Sequence, residues 1–195
     1  LTRHRDETPL APPVATASET VQLALANDAD GSITLVDREI ALPGEATARA
    51  RALLTRLIAE YSYKNSAHPL ESGPAVDDVF LLNLPLRPAV ASHSLQQDAQ
   101  PSAGSDSSYE PGVPSGQLAI INLRDTFADH HPSGIESETL TINSIIGTLY
   151  ANFPRIEQVR FLVDGRPRDT LNGHADLLRT YSAANTSTTT PKETH

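Results

Sequence analysis

The chain has 195 residues, a formal net charge of −9, 15 prolines and no cysteine. Its length suits one domain with tails, and its acidic balance, with no cluster of Lys and Arg, argues against nucleic acid as a partner. The lack of cysteine excludes disulfides, thiolate zinc sites and cysteine nucleophiles. No apolar run reaches about 18 residues, so we expect a membrane to be reached only through a segment not present in this chain.

Residues 1–19 combine several prolines with small polar residues and show no apolar period, which predicts an extended linker. The chain begins at Leu1 rather than at a methionine, so we expect that a signal or membrane anchor has been left off its N-terminus. The linker is then either a tether to that anchor or a plain disordered tail.

A β-hairpin is predicted next. Residues 21–25 alternate between larger apolar and smaller or polar side chains, and residues 33–40 form the second strand. The apolar phase of the second strand slips between Leu35 and Val36, which predicts a β-bulge at that point.

The connection between these strands reads Asp-Ala-Asp-Gly, from Asp28 to Gly31, and resembles part of a calcium-binding loop. An EF-hand loop in this frame needs an acidic residue where Ala26 stands and a glutamate where Asp37 stands. A simple hairpin turn therefore explains these residues better.

The first helix is predicted over residues 45–61, because apolar residues recur there at helical spacing. The stripe consists of Ala46, Ala50, Leu53, Leu54, Leu57, Ile58 and Tyr61. Arg49, Arg51 and Arg56 lie off the stripe. A solvated face is the simpler interpretation of these arginines, and a patch for phosphate or for an acidic partner is the alternative.

Residues 79–84 form a mostly apolar run, which predicts a buried strand that ends at Pro85. Residues 85–116 are rich in proline and serine and are predicted to be an insertion on the surface of the domain. A loop without a role is the simpler interpretation of this insertion, and an arm that becomes ordered on a partner is the alternative.

Residues 117–123 are apolar on both faces, as in a central strand. His130 and His131 follow. Two adjacent histidines bind a metal only with further ligands, and the spacing supplies none. Ser133 and Glu136 fit a capping box, which predicts that the second helix begins near Gly134.

The second helix carries a long apolar stripe and must end at Pro154, which lacks an N–H and restricts the residue before it. The stripe consists of Ile142, Ile145, Ile146, Leu149 and Phe153. The period then changes from that of a helix to that of a strand over residues 159–163. Asp164 and Gly165 predict a type I′ turn into a short partner strand over residues 166–171.

The domain closes on Gly173, His174 and Asp176, for which a turn with local hydrogen bonds to the backbone is the simpler interpretation. A hydrolase triad of His174, Asp176 and a serine is the alternative, but the chain contains no Gly-x-Ser-x-Gly elbow. Residues 182–195 are rich in threonine and serine and are predicted to be a disordered tail.

These elements make a single domain over residues 20–181, in the order β-β-α-β-β-α-β-β. We therefore predict an α+β fold of the two-layer sandwich type. In it, both amphipathic helices cover one face of a mixed β-sheet.

Several residues of the C-terminal half also form a family pattern. It consists of Phe127, Gly134 and Glu138 before the helix, Thr148 and Leu149 within it, V-R-F-L-V-D-G at residues 159–165, and Gly173, His174 and Asp176 after the hairpin. The pattern resembles the GerMN domain, named after the bacterial sporulation and spore germination protein GerM. The resemblance implies a fold similar to the ring-building domains of secretion and sporulation complexes. It also implies a lipoprotein or single-pass membrane protein that faces outward.

From this resemblance we expect a non-enzymatic module outside the cytoplasm, periplasmic or at the cell surface and membrane-anchored in the full-length protein. Its expected partners are other envelope proteins or a second copy. A binding module for a cell-wall glycan or peptide is the alternative, with Tyr63, Tyr109 and Tyr150 as its aromatic candidates. No convergent set of titratable residues supports an enzyme. The sequence therefore assigns no catalytic, cofactor-binding or metal-binding residue.

Overall fold

A computed structural model of the chain describes residues 17–84 and 116–182. Nearly all of the predicted linker, insertion and tail lie outside the described residues. The elements in chain order are β1 Ser18–Asn27, β2 Ser32–Ala41, α1 Ala46–Tyr61, β3 Val76–Asn83, β4 Gln117–Leu123, α2 Asp125–Asp129, α3 Ile135–Asn152, β5 Ile156–Val163 and β6 Tyr181–Ser182. The predicted α+β class is confirmed. Within the described ranges no helix combines the length and the hydropathy that a membrane span needs.

The main sheet has four strands in the order β3-β4-β5-β6. β4 and β5 run parallel, whereas the two outer pairs are antiparallel, so the sheet is mixed as predicted. β1 and β2 differ from the prediction, because they form a separate two-stranded sheet instead of joining the main one. This hairpin packs on α3, and α1 packs on β3.

Helix α1 begins one residue after its predicted start, because Glu45 serves as its N-cap. The Glu45 carboxylate accepts hydrogen bonds from the backbone N–H groups of Thr47 and Ala48, at 2.9 and 2.7 Å. Hydrogen bonds from the Thr47 hydroxyl and from these N–H groups lower the pKa of Glu45 to about 2. The predicted stripe of α1 is buried from Ala50 onwards, and Ala46 is exposed.

Helix α3 is buried on two sides. Its predicted stripe, from Ile142 to Leu149, joins one hydrophobic cluster with Val159 and Phe161 of β5. On its other side Thr141, Ser144 and Thr148 are also fully buried. A helix buried on two sides is consistent with its position between the hairpin and the main sheet.

Polar side chains of α3 form hydrogen bonds with the backbone N–H and carbonyl groups of β1, on the edge of β1 that faces away from β2. Thr148 Oγ1 accepts the Ala24 N–H at 2.9 Å, and Ser144 Oγ donates to the Ala24 carbonyl. Asn152 accepts from the Gln22 N–H at 3.0 Å and donates to the Gln22 carbonyl. The approach is close, because a Cβ on Gly147 would lie 3.0 Å from the Cβ of Ala24. Side chains of a helix thus take the place of a third strand.

The β-bulge predicted in β2 is wrong. The pairing of β1 with β2 runs without a shift from Ser18 opposite Ala41 to Asn27 opposite Ser32. The slip in the apolar pattern arises because part of β2 is open to solvent. Leu35, for example, is 53% exposed. An apolar residue on a solvated face needs no extra residue in the strand to explain it.

The turn after β5 is confirmed, since Asp164 and Gly165 both have positive φ angles, of 46° and 73°. The partner strand predicted over residues 166–171 is wrong. Only Arg166 bridges back to Val163, and the strand that runs antiparallel to β5 in the sheet is β6. Pro167 follows Arg166 immediately and has no N–H with which to continue the ladder.

The start of α3 is confirmed at Gly134, its N-cap, but the predicted capping box is wrong. Ser133 donates its hydroxyl proton to the carbonyl of Asn172 instead. The Gly134 N–H donates a hydrogen bond to the carboxylate of Glu138 at 3.2 Å. The short helix α2, between β4 and α3, was not predicted.

Candidate functional site

Among residues 17–84 and 116–182, the helices cover one face of the main sheet, and no helix or strand covers the other. Val79, Ile121 and Phe161 point into the core and are buried. The residues between them point the opposite way, and Phe80 and Leu82 of β3 are 48% and 50% exposed. We call this surface the open face and define it by Asp78, Phe80, Leu82, Leu118, Ile120, Arg160 and Leu162.

The strand register arranges the open face in rows. Phe80 lies opposite Ile120, which lies beside Arg160. Leu82 lies opposite Leu118 in the next row. Because neighbours in a row lie about 5 Å apart, their side chains form one continuous apolar surface.

Two charged residues lie at opposite margins of the open face. Asp78 stands on β3, and its carboxylate lies 3.7 Å from the guanidinium of Arg51. Arg160 stands on β5 and is exposed. Among residues 17–84 and 116–182, no hydrogen bond or ion pair engages the Arg160 side chain. The face is therefore apolar in its centre, with an aspartate that faces Arg51 at one margin and an exposed arginine at the other.

Apart from the open face, the domain has a concavity with a volume of about 160 Å³, which we call the cleft. It lies between the loop that runs from Leu70 to Pro74 and the segment that contains Phe127, His130 and Pro132. His131 also lines it but is buried, and its ring meets that of Phe127 edge-on at 5.7 Å. The cleft has room for a group the size of one side chain.

His131 belongs to a buried chain of hydrogen bonds. Its Nδ1 donates to the carbonyl of Pro132 at 2.8 Å, so its Nε2 accepts the hydroxyl proton of Thr141 at 2.7 Å. Thr141 in turn accepts a hydrogen bond from Nε2 of His68 at 2.7 Å, and Nδ1 of His68 is hydrogen-bonded to the carboxylate of Asp28. Burial lowers the pKa of His131. The hydrogen bonds join the hairpin turn, the loop after α1, helix α3 and the wall of the cleft, which explains why these polar groups tolerate burial.

Glu138 forms the second buried polar cluster. Its side chain is fully buried and accepts the backbone N–H groups of Asn172, His174 and Ala175, at 2.9–3.0 Å. His174 Nδ1 lies 2.9 Å from the same carboxylate. Burial alone would raise the pKa of Glu138, but the N–H groups and His174 outweigh it and lower this pKa to about 2.

The model of a protein family described as "Sporulation and spore germination", named Germane, matches residues 24–169, which is more than half of the chain. The chain belongs to the Germane family. The resemblance to the GerMN domain is thereby confirmed. Two residues of the pattern noted in the sequence, Glu138 and His174, lie 36 residues apart and are hydrogen-bonded to each other, although His174 stands after the matched range.

Other comparisons add little to the Germane assignment. A solved structure named "Putative Lipoprotein from Clostridium perfringens" is 18% identical to the chain, with 91% of this chain and 95% of that one covered. Its TM-score is 0.35, which is too low for a statement about function. No curated protein matches the chain significantly.

Two of the three histidines considered for catalysis or metal binding in this Germane domain, His131 and His174, are hydrogen-bonded to structural partners. Asp176 caps the local turn through the N–H groups of Leu178 and Arg179, and Gly173 has a φ of +115°. His174 is hydrogen-bonded to Glu138 instead of Asp176.

His130 is exposed, whereas His131 is hydrogen-bonded to Thr141. In the described part of the chain no three His, Asp or Glu side chains converge as metal ligands.

In the turn that was considered as a calcium-binding loop, the two aspartates are engaged in hydrogen bonds within the domain. Asp30 accepts the Ser32 N–H at 3.0 Å, and Asp28 is bound to His68. Sequence reasoning had no signal for His68, because a lone histidine beside a proline carries no spacing information. Its role depends on a contact with α3, 73 residues away.

The three arginines of α1 each face an acidic side chain. Arg49 pairs with Glu19, Arg51 with Asp78 and Arg56 with Glu60. They therefore offer no unpaired basic patch for a phosphate, and a solvated face remains the better interpretation.

The aromatic candidates for glycan binding do not share a site. Tyr63 is exposed after α1, while the hydroxyl of Tyr150 lies 3.4 Å from carbonyls of β5 and β6. Tyr109 lies outside the described residues. Two other aromatic side chains stand beside the cleft and on the open face, Phe127 and Phe80. The sequence marked Phe127 only as part of the family pattern and did not mark Phe80.

The low pKa of Glu138 makes the fold sensitive to acid. Its pKa is about 2 in the folded state against a usual value near 4.5, so the stabilisation is complete above pH 4.5 and is lost as the pH falls toward 2. We expect this carboxylate to contribute about 3 kcal/mol to that loss. Urea unfolding of the wild type and of Glu138→Gln between pH 7 and pH 2.5 measures it. Equal pH dependence in the two proteins would contradict the assignment.

Proposed function

We propose that this Germane domain is a non-enzymatic protein-interaction module of the cell envelope, held at the membrane by a segment outside this chain. The observation that carries the proposal is the open face. A sheet face that combines half-exposed Phe80 and Leu82 with the aliphatic residues beside them is rare on a monomer that works alone. Such a surface gains free energy when a partner covers it.

The location and the lack of an enzymatic role have separate support. The family description links Germane domains to sporulation and spore germination, processes that remodel the envelope. The buried titratable side chains are engaged in holding loops together, as Glu138 and His131 are. A side chain whose hydrogen bonds are already committed is a poor candidate for acid–base work.

A photo-reactive phenylalanine analogue in place of Phe80 tests the interaction in cells that make the full-length protein. We expect it to give a covalent adduct with a defined envelope protein or with a second copy. Tyr63 is the matched control, because it is an aromatic residue of similar exposure on a loop away from the open face. Adducts at Tyr63 but not at Phe80 would refute the proposed surface.

A second candidate function is recognition of a cell-wall peptide, and the cleft is the observation that favours it. Phe127 and the prolines Pro74 and Pro132 give its walls an apolar character that suits one aliphatic side chain. Titration with soluble peptidoglycan fragments should then shift the ring resonances of Phe127 and His131 and leave those of Phe80 unchanged. Unchanged spectra at millimolar fragment would exclude this function.

A further inference from the structure

We infer that the partner of the open face is a second copy of this domain, packed face to face about a two-fold axis that runs parallel to β4. The inference rests on the proposed function and specifies its partner. It follows from the order of the strands and from the side chains that each strand presents on the open face.

The order of the strands makes the open face self-complementary. β4 lies in the centre, β3 on one side carries Asp78 and Phe80, and β5 on the other side carries Arg160. A two-fold axis along β4 places β3 of each copy over β5 of the other, so every contact occurs twice. Leu118 and Ile120 then meet their own counterparts at the centre.

The charged margins are brought together by the same rotation. Arg160 of one copy lies over Phe80 of the other, where a guanidinium and an aromatic face attract each other. Asp78 stands two residues farther along the same strand, about 7 Å away, which is within reach of an arginine side chain. The exposed arginine thus gains a carboxylate, and Asp78, which already faces Arg51 of its own copy at 3.7 Å, gains a second cation.

The two outer edges of the β1–β2 hairpin are less suited to a second copy. The outer edge of β1 is occupied by side chains of α3, as its bonds to Thr148 and Asn152 show. The outer edge of β2 carries the charged run Asp37, Arg38 and Glu39, a pattern that opposes edge-to-edge pairing. These features favour contact through the face of the main sheet over addition of a strand.

The size of the open face sets the strength of the contact. Three strands about 4.8 Å apart and some seven residues long give a patch of about 14 by 24 Å. A flat patch of this size covers roughly 340 Å² per copy, less than the roughly 800 Å² per partner of a standard specific interface, which predicts a weak, reversible dimer with a dissociation constant in the high micromolar range or weaker.

Sedimentation velocity from low to high micromolar protein tests the dimer. We expect the wild type to shift from monomer to dimer, and Arg160→Asp and Asp78→Arg each to weaken association by about tenfold or more. The double variant Asp78→Arg/Arg160→Asp should restore it, because the exchanged charges meet again across the axis. Arg155→Asp is the matched control, since Arg155 is an exposed arginine just before β5 and outside the open face.

The outcomes separate this inference from the proposed function. A wild type that stays monomeric throughout overturns the homodimer, while Phe80 adducts with another envelope protein would still support an interaction module. A dimer unaffected by Phe80→Asp overturns the open face as its contact. Single charge variants that weaken the dimer without rescue by the double variant overturn the two-fold arrangement. Circular dichroism and the thermal midpoint of each variant show that the substitutions leave the fold intact.

Discussion

Replacing Glu138 with glutamine should lower the free energy of unfolding by about 3–5 kcal/mol. The Glu138 carboxylate is fully buried and binds three backbone N–H groups of residues 172–175. Glutamine has a single acceptor oxygen, and its amide group would place N–H donors against N–H donors. Chemical denaturation at pH 7 measures the loss.

Glu136→Gln is the control for this experiment, because Glu136 lies in the same turn of α3 but is exposed. We expect this control to change the free energy of unfolding by less than about 0.5 kcal/mol. Equal effects of the two substitutions would mean that the charge of the helix N-terminus matters and the buried cluster does not. Hydrogen exchange adds a local readout, since the N–H groups of His174 and Ala175 should lose protection in Glu138→Gln alone.

Replacing Ile146 with alanine should destabilise the domain by about 2–5 kcal/mol. Ile146 is fully buried in the cluster that joins α3 to the main sheet. The substitution removes three carbon atoms and leaves a cavity that the rigid surroundings fill only in part.

Ile135→Ala is the matched control, since Ile135 lies in the first turn of the same helix and is 73% exposed. The same chemical change there should have an effect within about 0.5 kcal/mol. A thermal midpoint that Ile146→Ala leaves unchanged, or that both variants lower equally, would show that the buried side of α3 has been assigned wrongly.

The apolar stripes could be predicted from the sequence because burial against a sheet leaves a periodic trace. Ile142, Ile145, Ile146 and Leu149 recur at helical spacing, and all four are buried. The polar stripe of the same helix could not be predicted. Ser144 and Thr148 resemble a solvated face, and only the position of β1 reveals that they replace the hydrogen bonds of a strand.

The exposure of the open face was not predicted. Both helices were predicted on one face of the sheet, but the mostly apolar run at residues 79–84 predicted a buried strand, and residues 117–123, apolar on both faces, predicted a central one. In the described residues the helices cover one side, and Phe80 on the other is half exposed. A sequence that is apolar on both faces shows that each face requires an apolar environment. It does not show whether a neighbouring helix or another molecule provides it.

The buried polar clusters depend on contacts across long stretches of chain, and local patterns carry no trace of them. Glu138 fits a first-turn glutamate near the helix dipole equally well, and His174 fits a local turn. Their bond spans 36 residues and appears only once β5 has returned the chain to the start of α3.

The substitution of a helix for a strand beside β1 has a geometric limit. Two residues along a strand advance about 6.8 Å, whereas four residues along a helix advance about 6.0 Å. The two spacings agree for one step, from Thr148 at Ala24 to Asn152 at Gln22, and then drift apart. At Ala26 the hydroxyl of Tyr61, from α1, accepts the N–H instead. A single helix can therefore occupy the backbone hydrogen-bonding groups of only a short length of strand edge. On a longer edge, a second helix must bond the remaining groups to keep another strand from pairing there.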